Sequence, residues 1–228
     1  MQSVTLYVKY LQKFNATCPS SRAGSKLYEL GSRMTNNRYF FIIFMSLIFK
    51  TQSMANEVPA KALTWNANVH LANFTGLQEK KIRSAVEIIK KVIAMKEFKD
   101  RVLNFNYKDN NFFVDNNGLS NEQIYQKILD GAEQIGNTSK NNSLDVELEL
   151  FHQKTVTIGY TYPNTSRIWM NTKYFNKYTP IKVADNLMHE WMHKLGFTHA
   201  TTWTKDREHS VPYAIGYLIE ELAAKLPH

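Results

Sequence analysis

Cysteine is almost missing from this chain of 228 residues. Its single copy is Cys18, so the stretch from residue 56 onward can form neither a disulfide nor a thiolate metal site. A long hydrophobic run is missing as well. The uncharged apolar stretch at 39–49 has 11 residues, flanked by Arg38 and Lys50, where a membrane span needs roughly 20. No other part of the chain is a membrane candidate. A strong charge bias is missing from most of the chain too. The net charge is +8, but residues 1–55 hold seven Lys/Arg against one Glu, while residues 56–228 hold 21 Lys/Arg against 19 Asp/Glu. Basic character is thus concentrated at the N-terminus, and no nucleic-acid partner is expected. Repeats and low-complexity linkers are absent. With 43% hydrophobic residues, about 170 residues beyond position 56 can bury a core without staples.

The run at 39–49 has the length of the apolar centre of a signal peptide, and Ser53-Met54-Ala55 provides the small-x-small pattern cut by signal peptidase. Translation is expected to start at Met34. Residues 34–55 then form the signal peptide, and residues 1–33 are either an over-extended start or a short basic cytoplasmic tail. Residues 56–228 are expected to form one domain, secreted or periplasmic. The alternative is a protein anchored to the membrane by residues 39–49.

Within that domain, Ala67–Leu71 reads as a strand. Gln78–Phe98 reads as a helix, because Ile82, Ala85, Val86, Ile89, Val92 and Ile93 form one stripe at helical spacing. Val102–Tyr107 alternates like a strand, Asp115–Gly118 is a turn, and Asn121–Ile135 has a second helical pattern. Asp145–Phe151, Thr155–Tyr160 and Arg167–Asn171 read as strands, the last two joined at Pro163-Asn164. Thr179-Pro180 opens a helix with a capping hydroxyl and proline in the first turn, ending near Gly196. A final helix covers Val211–Lys225, with Ile215, Leu218, Ile219 and Leu222 facing inward.

The chemistry is carried by His189-Glu190-Trp191-Met192-His193-Lys194-Leu195-Gly196-Phe197-Thr198-His199. Residues four apart on a helix share a face, so His189 and His193 can present two imidazoles to one ion. Glu190 stands beside the first ligand, within reach of a water in the site. Gly196 permits the left-handed backbone that ends a helix and turns the chain, which can bring His199 back as a third ligand. Three protein ligands leave one position open, as catalytic zinc sites do. Two histidines and a glutamate at this spacing arise by chance in about one such chain in a hundred, and the longer pattern in roughly one in a hundred thousand. Ala184, Leu187, Met188, Trp191 and Leu195 form a separate apolar face, which leaves the histidines and Glu190 free to face a cleft.

The pattern HExxHxxGxxH resembles the extended zinc-binding motif of the metzincin metallopeptidases, with every constant position matched, and the order of elements over about 64–225 is similar. The resemblance implies a single α/β zincin-like domain with a mixed twisted sheet, an active-site helix and a C-terminal helix. It implies that one of the strands at 155–171 is an antiparallel edge that pairs with extended substrate. It also implies a zinc-dependent endopeptidase in which His189, His193 and His199 hold Zn²⁺ and Glu190 is the general base. The chain departs from the family in having no methionine after Met192, where metzincins place a methionine turn beneath the metal. Ser210-Val211-Pro212-Tyr213 occupies that place, with Pro212 or Tyr213 in the role of the methionine, and Val211-Pro212-Tyr213 is expected to form the floor under the imidazoles. Tyr213 could also hydrogen-bond a developing oxyanion, or it could simply pack in the core at a helix start.

Other residues are weaker candidates. His209 could be a fourth ligand or proton donor, but a loop histidine beside Arg207 and Glu208 is more often solvated. Asp185, one turn before His189, could orient its imidazole or be a solvated helix residue. His70, His152 and His228 have no partner spacing, and Asp115–Gly118 lacks the ligand spacing of a calcium loop. The expected partner is a protein or peptide substrate, and a monomer is expected. Two other functions fit the same motif: a secreted, non-catalytic peptide-binding protein with a structural zinc, and a zinc amidohydrolase acting on cell-wall peptides.

Overall fold

The computed structural model describes residues 65–135 and 139–227. The expected signal peptide, the start at Met34, the tail at 1–33 and His228 lie outside the described residues. The described chain runs β1 (Asn66–Ala72), α1 (Gly76–Ile93), α2 (Lys96–Leu103), α3 (Asn121–Asp130), β2 (Ser143–Phe151), β3 (Gly159–Thr161), β4 (Arg167–Asn171), a short α4 (Thr172–Phe175), α5 (Pro180–Lys194), a 3-10 turn (Arg207–His209) and α6 (Val211–Ala223). Among the described residues no helix is long and apolar enough to cross a membrane.

The fold is mixed α/β around a four-stranded mixed sheet of order β1-β2-β4-β3. β1 and β4 both run parallel to β2, and β3 is the one antiparallel strand, at the edge beside β4. In β2, Leu144, Val146, Leu148 and Leu150 are buried, whereas Asp145, Glu147, Glu149 and Phe151 are only half-buried. This alternation is that of a sheet with helices on one face. The other face is held by charge: Arg167 reaches Glu147 at 2.9 Å and Glu149 at 2.7 Å, and the Trp169 indole donates to Glu149.

The helices bury the stripes their periodicity indicates. α1 buries Ile82, Ala85, Ile89, Val92 and Ile93, and α6 buries Ile215, Leu218, Ile219 and Leu222. α5 packs against α1 on one side and α6 on another, and it also touches β3. Trp191 of α5 is fully buried and meets Trp65 edge-on at 5.7 Å. This aromatic contact ties α5 to the chain entering β1.

Four boundaries differ from the sequence expectation. The helix expected over Gln78–Phe98 is two helices, because Met95 is extended and restarts the chain as α2; the bend carries Phe98 and Val102 into the core. Val102–Tyr107 is not a strand. Val102 and Leu103 end α2, Phe105 stacks on Phe113 at 3.9 Å and Tyr107 stacks on His209, so its alternation reflects aromatic pairing in a loop. The helix expected to reach Ile135 stops at Asp130. Gly131 has φ +63°, a Cβ there would lie 2.0 Å from the Ser143 carbonyl oxygen, and Ile135 is exposed. Of the strand expected at Thr155–Tyr160 only Gly159 and Tyr160 belong to β3. The carbonyls before them are taken by side chains: Thr155 accepts from Lys173 and Tyr174, and Thr157 from Asn171.

Candidate metal centre

α5 starts as its sequence indicates. The Thr179 side chain accepts from the Lys182 amide, and Pro180 occupies the first turn. The apolar face of Ala184, Leu187, Met188, Trp191 and Leu195 is buried. His189 and His193 therefore share the remaining face, with ring centroids 5.2 Å apart. After Lys194 the helix is closed by amides of the next turn, Gly196 donating to the His193 carbonyl and Phe197 to that of Met192, both at 3.0 Å. Gly196 has φ +92°, and its carbonyl accepts from Asn117 at 2.9 Å, so the turn at 115–118 clamps the reversal. Phe197 is buried there, and the chain carries His199 back over the helix.

The three imidazoles converge. One ring nitrogen from each of His189, His193 and His199 lies within 4.8 Å of the others, close enough to hold one metal ion. The tautomers suit that role. The His193 Nδ1 meets the Phe197 carbonyl oxygen at 2.8 Å and the His199 Nδ1 meets that of Ala200 at 3.0 Å. A carbonyl only accepts, so each Nδ1 carries the proton and each Nε2 keeps its lone pair for a ligand. The charge state suits it too. Burial pushes His189 well below the ordinary histidine range and His193 down to about 4, and it also lowers His199. Neighbouring imidazoles and Arg207 add to the depression. All three are neutral at pH 7, as metal ligands must be.

Glu190 is buried, and burial raises its carboxyl to about 8, with Lys194 acting against the rise. Its carboxyl has no hydrogen-bond partner among the described residues. It faces the edge strand, since a Cβ on Gly159 of β3 would lie 3.2 Å from its Oε1 and 3.0 Å from Oδ1 of Asn186. The bare glycine backbone thus lets β3 lie directly beside this carboxyl. Tyr213, at the start of α6, rests its ring against His189 at 4.3 Å and His199 at 4.8 Å. Val211 and Pro212 beside it are buried.

The weaker candidates are placed elsewhere. His209 is outside the metal-binding group, stacked on Tyr107 at 3.7 Å, because its 3-10 turn is tied to the loop of residues 105–114. Asp185 does not orient His189. It pairs with Lys182, which also reaches Glu220 of α6, and burial raises its carboxyl to about 6. His152 meets the Thr172 hydroxyl and His70 lies on β1, both apart from the cluster.

Two buried groups escaped the sequence reading. Lys194 is 4% exposed, and its ammonium donates to the Tyr162 carbonyl at 2.9 Å and to that of Thr165, pinning the β3–β4 turn to α5. Its position four residues after Glu190 was the one available signal. Glu133 is 2% exposed; its Oε1 accepts from the Trp191 indole at 2.7 Å and the Asp145 amide at 2.9 Å, and its Oε2 has no partner. Nothing local marks a glutamate in a loop as a helix anchor. The chain matches no protein-family model, no curated protein and no solved structure.

Proposed function

We propose that this chain is a zinc-dependent endopeptidase related to the metzincins. The observation that carries this reading is the convergence of three neutral imidazoles beside a buried carboxyl on the same helix. The mixed sheet supports it, because its one antiparallel strand, β3, lies at the edge next to α5. Three nitrogen donors, two of them on rings whose opposite nitrogen is bonded to a carbonyl, fit zinc in particular. Bound there, zinc would act as a Lewis acid on the scissile carbonyl and make water acidic near neutral pH.

The protein's own groups do the rest. Glu190 takes one proton from the attacking water, whose oxygen forms the new bond to the carbonyl carbon. As the C–N bond breaks, Glu190 returns that proton to the leaving nitrogen, which restores the glutamate, and the second water proton passes from the new carboxyl group to the amine, so a carboxylate and an ammonium group leave. Tyr213 supports two of the imidazoles through its ring, and its hydroxyl is a candidate donor to the developing oxyanion. The free edge of β3 offers backbone groups to an extended peptide. A purely structural zinc needs no carboxyl buried at this cost, which weighs against a non-catalytic binding protein. Secretion through residues 34–55 belongs to the same proposal.

The test combines metal analysis with turnover. One equivalent of zinc should co-purify, a chelator should abolish cleavage of a generic unfolded protein substrate, and zinc should restore it. Glu190→Gln should keep the metal and lose roughly 100- to 10,000-fold in turnover. Unchanged turnover in metal-replete Glu190→Gln protein would remove the basis of the assignment.

A further inference from the structure

Arg207 lies beside the histidine cluster with no ion-pair partner among the described residues. Four arginines lie among the described residues. Arg83, Arg101 and Arg167 each pair with glutamate, whereas no carboxylate of a described residue pairs with Arg207. Its own turn does not supply one: Asp206 is engaged by Tyr107 at 2.6 Å and Lys108 at 2.7 Å. Its Nε is buried and has no hydrogen-bond partner. An unpaired buried donor of a permanent cation is costly to keep, unless a ligand completes it.

The backbone holds this residue in place. The Arg207 amide donates to Thr204, and its carbonyl accepts from the amide and hydroxyl of Ser210 at 3.1 and 2.6 Å. The guanidinium lies 4.9 Å from the centre of the Tyr213 ring, the same ring that rests on His189 and His199. It is therefore less than roughly 10 Å from both imidazoles, inside the screening length of moderate salt. Its charge is one of the causes that lower all three histidines. A cation placed this close to a site for a cation is repulsive by itself, and an anionic ligand reverses that sign.

We infer that Arg207 recognises a carboxylate of the substrate, giving this site a preference for peptides that carry a negative charge close to the cleaved bond. The inference rests on the peptidase reading. An extended chain advances roughly 3.5 Å per residue, so the charge belongs within about two residues of the scissile bond. The planar guanidinium suits two-point binding of a carboxylate. The carboxylate is supplied either by an Asp or Glu side chain or by a free C-terminus, and the chemistry is the same for both.

The test uses the full chain with zinc and four capped peptides: acetyl-tetra-alanine as acid and as amide, and acetyl-Ala-Asp-Ala-Ala-amide with its Asn counterpart. Affinity is read by calorimetry on Glu190→Gln protein, which does not consume the peptides, and kcat/KM is read on the parent protein. The acid or the Asp peptide should bind roughly 10- to 100-fold tighter than its neutral twin, the range of a charge-assisted hydrogen bond. The pair showing the difference identifies the source of the carboxylate. Arg207→Gln should erase the difference with zinc still bound, and Arg207→Lys should retain part of it. Equal affinity for charged and neutral twins overturns the inference, even if every variant misfolds. So does a preference that survives Arg207→Gln, or one lost only together with the metal. Carboxylate preference without hydrolysis would sink the peptidase reading and leave Arg207 its role; hydrolysis without preference would do the reverse.

Discussion

His189 and His199 bring their Nε2 atoms to 3.2 Å of each other across the end of α5. The His199 Nδ1 proton is committed to the Ala200 carbonyl, so its Nε2 presents a lone pair to His189. Two imidazoles at this distance need a proton or a cation between them. The nearby His193, tied in the same way to Phe197, adds a third lone pair to the same space. The helix turn that creates this meeting is therefore part of the chemistry as well as of the fold.

Metal loading should release about one proton at pH 7, and from Glu190 rather than from the ligands. Burial holds the Glu190 carboxyl at about 8 and His193 at about 4 in the metal-free protein. The carboxyl is therefore protonated at pH 7 and the imidazoles are not. A dication beside Glu190 favours its carboxylate form and expels that proton. Calorimetry of zinc binding in buffers of different ionisation heat counts it, and Glu190→Gln should remove it. Release that persists in Glu190→Gln protein would assign the proton to the histidines or to water bound at the metal, and not to Glu190.

Glu133 should matter to stability in a pH-dependent way. Glu133→Ala strands the Trp191 indole N–H and the Asp145 amide, at about 1–3 kcal/mol for each buried donor. Glu133→Gln keeps a carbonyl oxygen for both and should cost less. Burial raises the Glu133 carboxyl in the folded state. The folded protein thus holds this proton more tightly than the unfolded chain does, and its contribution is full below the ordinary glutamate range. It is lost as pH rises through the folded value. Melting temperatures of the parent should fall relative to Glu133→Gln as pH rises above about 4.5; a constant difference would show that Glu133 does not titrate differently on folding.

Gly196→Ala should weaken both the fold and the metal site. With φ at +92° an alanine is strained whatever space surrounds it, at about 1–2 kcal/mol. A Cβ would also meet the Gln134 amide end at 2.3 Å, a flexible group that can move aside. Backbone strain is then the larger effect, so Gln134→Ala should not rescue Gly196→Ala. Melting temperature and zinc affinity are the readouts, and full rescue by the double variant would assign the cost to the side-chain clash instead.

Tyr213 separates packing from hydroxyl chemistry. Tyr213→Ala removes the ring that lies against His189 and His199 and should lower zinc affinity by about tenfold or more, as loss of ligand support does. Tyr213→Phe keeps the ring and should keep the metal. A drop in kcat alone in Tyr213→Phe would assign the hydroxyl to the reaction, and unchanged zinc affinity in Tyr213→Ala would show that the imidazoles are supported elsewhere.

Much of the frame could be read from local pattern. β1, β2, β4, α5 and α6 lie where alternation, helical stripes and the Thr179-Pro180 start put them, because one covered face imposes a period on every strand and helix. The break between α1 and α2 could not be read in this way. Ala94 and Met95 are ordinary helix residues, and the need to turn comes from Phe98 and Val102 finding the core. The early stop at Gly131 likewise comes from Ser143, in a strand that had not yet been paired with anything.

The sequence by itself determined the donor set of the centre. His189 and His193 share a face by helical geometry, Glu190 adjoins them, and Gly196 is the residue that lets the chain return with His199. Those relations span eleven residues and follow from backbone rules that operate within one or two turns. Only the tertiary structure decided what surrounds that set. Glu133 reaches Trp191 from 58 residues away, Lys194 reaches Tyr162 and Thr165 across the β3–β4 turn, Gly159 brings the edge strand to Glu190, and Arg207 lies over Tyr213. These contacts join elements that meet only when the sheet and helices pack. Burial, which neutralises the histidines and protonates Glu190, is likewise a property of the packed whole that no local spacing contains.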